Sequence, residues 1–257
     1  MSILFDDIVF GPVKSRRLGV SLGINLLPRD GKLCNFDCIY CECGMNEDGR
    51  GDTVIPSVRE VEMALVKRLE EYCGDGATID TITFSGNGEP TIHTDFPEIV
   101  DKTLELRKRY TPGAKVSVLT NGTMAGRKKV REALLKVDNA IIKIDSAYEE
   151  TVRKIDRPQF DYSLKGVEGN LRAFEGIFIL QTMFLRGDSV YGKVDNTTPE
   201  EVGAWYRLVE RIKPRSVMIY TIDREAPISG LEKISVGELE EIAEGLRKRG
   251  FEVSVSG

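Results

Sequence analysis

Histidine is nearly absent from this sequence: His93 is the single one in 257 residues. That scarcity excludes a multi-histidine metal site and all but rules out a His-centred nucleophilic triad. Long apolar runs are missing as well. No stretch approaches the roughly 20 apolar residues of a membrane-spanning helix. The opening "MSILFDDIVFGPVKSRR" carries Asp6 and Asp7 where a secretory signal would place Lys or Arg, so a cytoplasmic protein that does not engage membranes is expected. There is no internal repeat, no low-complexity tract and no Pro/Gly/Ser linker. One domain over 1–257 is therefore expected, with 1–18 as an N-terminal extension and 222–257 as a C-terminal helix and strand. Excess positive charge is absent too: the net charge of −5 argues against a broad nucleic-acid-binding face and leaves room only for a local patch. Cysteine is scarce and uneven, with four of the five between Cys34 and Cys43. An odd, clustered set without a secretory signal points to thiols kept reduced as metal ligands, not to disulfides.

What is present is a regular alternation. "GVSLGINLL" (19–27), "IDTITF" (79–84), "KVSVLT" (115–120), "AIIKID" (140–145), "IFILQTMF" (177–184) and "SVMIYT" (216–221) read as buried strands, and "FEVSVS" as the last one. Helical stretches with start signals lie between them. Ser57 with Glu60, Thr198 with Glu201 and Ser235 with Glu238 have capping-box spacing, and Pro199 suits a first helical position. Strands alternating with helices imply parallel pairing, hence an α/β fold of the partial (βα)6 TIM-like barrel kind or a doubly wound sheet. Either fold places the loops that follow strands at one rim, where active sites are built.

The loop after the first of these strands, "LCNFDCIYCECG", sets Cys34, Cys38 and Cys41 in C-x3-C-x2-C spacing. Three thiolates on a short loop can hold three corners of a cubane iron–sulfur cluster and leave one iron open to a ligand. A closed zinc site is the alternative, with Cys43 as fourth ligand, although the single residue between Cys41 and Cys43 crowds two sulfurs around one ion.

This loop, with Tyr40 just before its last ligand, resembles the signature of radical S-adenosylmethionine (SAM) enzymes. "FSGNGEP" (84–90) is similar to that family's Gly-Gly-Glu-like turn after the second strand. "FGPVKSRRLGVSLGINLLP", "IKIDSAYEETVRKIDRPQ" and "LQTMFLRGD" extend the resemblance to a subgroup related to tRNA wyosine-base synthases. The resemblance implies a [4Fe-4S] cluster on Cys34, Cys38 and Cys41, with SAM on the open iron. It also implies a low-potential electron donor of flavodoxin or ferredoxin type. Gly86, Asn87, Gly88 and Glu89 are the expected contacts for the methionine part of SAM. Asn121 and Asp145 are expected at the ribose, Lys143 at a carboxylate and Tyr40 beside the adenine.

Arg16, Arg17 and Arg224 are candidates for an anionic group on the substrate, since guanidinium forks bind phosphate or carboxylate bidentately. Cys43 is a thiol behind the ligand set, a hydrogen-atom donor to a substrate radical, or an incidental residue of the loop. His93 reads as a loop histidine. The substrate itself, whether tRNA base, peptide or metabolite, is not specified by these residues. No cysteine precedes Cys34, which argues against the second cluster of the wyosine synthases. Two other functions stand beside the leading one: a glycyl-radical enzyme activase, and a non-enzymatic zinc or iron–sulfur binding module.

Overall fold

The computed structural model describes residues 3–48, 54–73, 77–224 and 226–257. Two compact units emerge from its contacts, one built on Leu4–Cys34 and Asn46–Ala140, the other on Asn35–Met45 and Ile141–Gly257.

In the first unit, β1 (Val9–Ser15) pairs antiparallel with β2 (Gly19–Ile24). Helix α1 (Val58–Cys73) follows, then β3 (Thr81–Phe84), α2 (Phe96–Tyr110), β4 (Lys115–Thr120) and α3 (Lys128–Lys136). β2, β3 and β4 lie parallel, with Ser21–Ile24 opposite Thr81–Phe84 and the latter opposite Lys115–Val118. Apolar side chains of these strands, Leu22, Ile24, Ile82, Phe84, Val116 and Val118, are fully buried, as expected of a parallel sheet covered on both faces. Polar groups buried with them are satisfied: Ser21, Thr81, Thr83 and Ser117 form a hydroxyl ladder across the three strands, with steps from 2.8 to 3.3 Å.

In the second unit, β5 (Asn139–Lys143, of which Ile141–Lys143 belong here) precedes α4 (Glu149–Ile155), α5 (Leu164–Arg172) and β6 (Ile179–Met183). A hairpin of β7 (Leu185–Ser189) and β8 (Gly192–Asp195) comes next, then α6 (Pro199–Ile212) and β9 (Ser216–Tyr220). The chain finishes with β10 (Leu231–Lys233), α7 (Val236–Arg247) and β11 (Val253–Ser256). β5, β6, β9 and β11 are parallel neighbours in that order. The antiparallel β10–β7–β8 set stands apart from them. The protein's single tryptophan, Trp205 on α6, is buried in this unit; its indole N–H donates to Thr182 Oγ1 at 3.1 Å, and Phe184 meets its ring edge to face at 5.2 Å.

Each strand expected from sequence is found, shortened by one to three residues at some ends. β1, the β7–β8 hairpin and β10 were not anticipated. Among the described residues no helix is long and apolar enough to cross a membrane.

Candidate active site

The cysteine loop leaves the C-terminal end of β2, and the two units hold different parts of it. In the first unit the anchor is the "GNGEP" turn. Leu33 forms a parallel bridge with Gly88. The Leu33 N–H donates to the Asn87 carbonyl at 2.8 Å, and the Glu89 N–H donates to the Leu33 carbonyl at 3.1 Å. Gly86, Asn87 and Gly88 all have positive φ, at 109°, 36° and 138°, a bend open to the two glycines and costly for most other residues. Asn87, wholly buried, engages its amide with the chain itself. Its Oδ1 accepts from the Phe5 N–H, and its Nδ2 donates to the carbonyls of Phe5 and Pro28.

Glu89 points inward from this turn. Its Oε1 accepts from the Thr91 N–H at 3.0 Å and the Thr120 hydroxyl at 2.7 Å, while Oε2 accepts from the Asn121 N–H at 2.7 Å. Burial pushes the carboxyl above its ordinary pKa despite these bonds. Glu89 therefore staples the turn to the end of β4. Asn121, placed there, directs Nδ2 at the Cys34 sulfur, 3.9 Å away, and the Cys34 N–H donates to Asn46 Oδ1 at 3.1 Å. A closed circuit results: Cys34, Leu33, Gly88, Glu89, Asn121 and back to Cys34.

In the second unit the anchor is the segment that ends α4. The Asp37 N–H donates to the carbonyls of Asp156 and Arg157, the Ile39 N–H to Ile155, and the Gln159 N–H to Asn35. This strip of main-chain bonds runs beside Cys38, which is buried, while Cys34, Cys41 and Cys43 are half-buried thiols. Tight turns carry the loop onward, with the Cys41 N–H on the Cys38 carbonyl and the Gly44 N–H on the Cys41 carbonyl, both at 3.0 Å. The Tyr40 hydroxyl donates to Asp145 Oδ2 in a short bond, and Asp145 Oδ1 accepts from the Met183 N–H at 2.9 Å.

The ammonium of Lys143 lies between Asp145, at 3.1 Å, and Asp156, and over the ring of Phe36 at 4.9 Å. One buried cation thus sits between two buried acidic side chains. Burial and then the Asp145 charge push Asp156 up to about 8. Burial pulls the Lys143 ammonium down, but Asp145 and Asp156 together outweigh it and hold its pKa well above the usual lysine range. Burial, with Asp145 second, drives the Tyr40 phenol well above its normal pKa.

Of the candidates, then, Cys34, Gly86, Asn87, Gly88, Glu89 and Asn121 are gathered in the first unit, and Cys38, Tyr40, Cys41, Lys143 and Asp145 in the second. The side chains of Tyr40, Asn87, Glu89, Asn121, Lys143 and Asp145, read from sequence as cofactor contacts, are all engaged within the protein. Arg16 and Arg17 occupy the turn between β1 and β2, at the opposite end of β2 from the cysteine loop, and are not gathered with it. Arg224 donates to Glu42 at 2.7 Å beside the loop. His93 is buried, with Nε2 on the Pro56 carbonyl and Nδ1 accepting from the Asp95 N–H, as befits a loop histidine. Sequence reasoning missed Asp156 and the 155–159 strip. Their only signal was an Asp and an Arg before a proline, which reads as a plain helix end.

The family model described as the radical SAM superfamily matches residues 30–190. The chain is 30% identical over 237 residues to a UPF0026 protein of Helicobacter pylori, covering 90% of this chain and 71% of that one. It is 30% identical over 252 residues to a Brachyspira hyodysenteriae protein named GTPase Obg, covering 96% of this chain but only 34% of that one. Among solved structures, a radical SAM methyltransferase from Sphaerobacter thermophilus superposes with a TM-score of 0.69 at 15% identity, over 92% of this chain and 65% of that one. That likeness bears out the partial-barrel fold class.

Proposed function

Because the chain belongs to the radical SAM superfamily, we propose that it is an enzyme holding a [4Fe-4S] cluster on Cys34, Cys38 and Cys41 and binding SAM beside it. What supports the reading is the chemistry of the donor set. All three are thiols on one loop, Cys38 is buried, and an amide N–H is aimed at the Cys34 sulfur, the kind of hydrogen bond that stabilises a ligating thiolate and tunes a cluster. When bound, cluster and SAM supply a one-electron cleavage of the sulfonium carbon–sulfur bond, giving methionine and a 5′-deoxyadenosyl radical that takes a hydrogen atom from substrate. An external low-potential donor, flavodoxin or ferredoxin in type, would provide the electron.

The observation that carries this reading is the circuit joining Cys34 to the "GNGEP" turn and Asn121. In it the backbone of Gly88 is bridged to Leu33, the residue before Cys34, and backbone groups in such a bend can meet the amino and carboxylate ends of an amino acid. Glu89 acts as the staple of that bend, and the Lys143 ammonium is held between Asp145 and Asp156, so the methionine contacts fall to main chain. Asp145, held by Tyr40, Lys143 and the Met183 N–H, is the carboxylate assigned to the ribose, with Tyr40 beside the adenine.

Anaerobic reconstitution with iron and sulfide, followed by dithionite and SAM, tests the proposal. Four irons per chain and release of 5′-deoxyadenosine are expected, and Cys38→Ala should lose both. Bound zinc in place of iron, or an intact cluster that yields no 5′-deoxyadenosine, would overturn it.

A further inference from the structure

Arg157 is half-buried in the second unit, with 25% of its side chain exposed, yet among the described residues its guanidinium makes no hydrogen bond. Its Nη1 is buried without a hydrogen-bond partner; the nearest carboxylate oxygen, on Asp37, is 3.6 Å away, beyond hydrogen-bond reach. Two other arginines of this unit are bonded to carboxylates. Arg211 grips Glu168 with two bonds of 2.9 and 3.0 Å, and Arg186 is bonded to Glu238. An arginine that leaves its fork unused inside a folded chain forgoes the charge-assisted bonds its guanidinium can make.

The Arg157 fork is nonetheless held in place. Its carbon sits 3.7 Å from the ring centroid of Tyr191, close enough for the two planes to lie face to face. Tyr191 stands in the turn between β7 and β8. At its base, Arg157 has a φ of 45°, a left-handed conformation costing a non-glycine residue on the order of 1 kcal/mol. The main-chain strip over Asn35–Ile39 maintains it, and the Arg157 carbonyl itself accepts from the Asp37 N–H at 3.1 Å and from Gln159 Nε2 at 2.7 Å. A strained backbone, an aromatic platform and unused donors thus coincide at a residue whose carbonyl is bonded to Asp37, the chain neighbour of Cys38. Phe160, three residues after Arg157 and exposed, is stacked on Phe36 with centroids 6.3 Å apart.

We infer that Arg157, backed by Tyr191, is a subsite that takes an oxyanion of the substrate, phosphate or carboxylate, beside the cysteine loop. A planar guanidinium matches either group with paired donors, and Asp37 orients the fork without occupying a donor. The inference rests on the radical SAM reading only in calling the bound molecule the substrate.

Site-resolved labelling of the reconstituted, anaerobic protein with phenylglyoxal, read by peptide mass spectrometry, tests it. Arg157 is expected to be labelled, and labelling should slow about tenfold when the protecting anion stands near ten times its dissociation constant. Inorganic phosphate and acetate, compared at matched ionic strength against chloride, distinguish a phosphoryl from a carboxylate source. Arg211, already paired, should label at the same rate in every arm. Tyr191→Ala should raise the half-protecting concentration by about fivefold, the worth of one stacked contact. Arg157 left unlabelled, or labelled at one rate with and without both anions, overturns the inference; equal protection in Tyr191→Ala removes the tyrosine from it. A protein that cleaves SAM with Arg157 indifferent to both anions sinks this inference alone. One with Arg157 protected but no SAM cleavage sinks the proposed function alone.

Discussion

Gly88 leaves no space for a methyl group: a Cβ built there would lie 1.9 Å from the Leu33 carbonyl oxygen, at a φ of 138°. Relief requires parting the Leu33–Gly88 bridge. Gly88→Ala is therefore expected to destabilise the fold by about 2 kcal/mol or more and to lower iron retention, both readable by urea titration and metal analysis. Gly113→Ala, where a Cβ meets nothing within 4 Å, should stay within about 0.5 kcal/mol of the parent. A second prediction concerns protons. Asp156 keeps its proton in the folded chain up to about 8 and gives it up in the unfolded chain in the ordinary carboxylate range. Its contribution to stability is thus complete below the unfolded pKa and is lost as pH rises through the folded one, at about 1.4 kcal/mol per pH unit in between. Asp156→Asn should flatten the decline of the urea midpoint between about pH 5 and 8; the same slope in both proteins would contradict the assignment. At this scale the sequence was half legible. Gly86 and Gly88 declare a bend because few other residues tolerate one, whereas nothing local shows that Asn87 binds Phe5 and Pro28, partners 82 and 59 residues away.

Helix starts were the most legible elements, since a cap is written in adjacent residues. Ser57 with Glu60 and Ser235 with Glu238 form the expected reciprocal bonds. Thr198 accepts from the Glu201 N–H, but the Glu201 carboxylate turns to Ser146 and Thr151 instead. Ser235→Ala should cost about 1 kcal/mol, seen as a lower thermal midpoint. Parallel strands were legible because burial on both faces leaves an unbroken apolar run. The β7–β8 hairpin, "LRGDS" and "GKVD", has little alternation to betray it, and three-residue β10 less still. The strip from Ile155 to Gln159 was invisible for another reason. It pairs through main-chain groups with a segment more than a hundred residues earlier, and main-chain pairing leaves no signature in side chains.

For the molecule as a whole, the match to the radical SAM family covers residues 30–190 and stops short of the strand–helix alternation near the C-terminus. There α7 and β11 complete the parallel set begun by β5. Trp205 lies in this unit, dry and hydrogen-bonded to Thr182. With no second indole in the chain, excitation at the red edge of protein absorption addresses one site only. Its emission is a gauge of the second unit and blind to the first, whose melting must be followed by circular dichroism. In a denaturant series a shift of emission that lags the dichroic change would mean that the half carrying β1–β4 opens first. Coincident curves would mean that both units melt in one cooperative step. The lone tryptophan thus supplies a built-in optical probe for the half that holds Cys38 and Cys41.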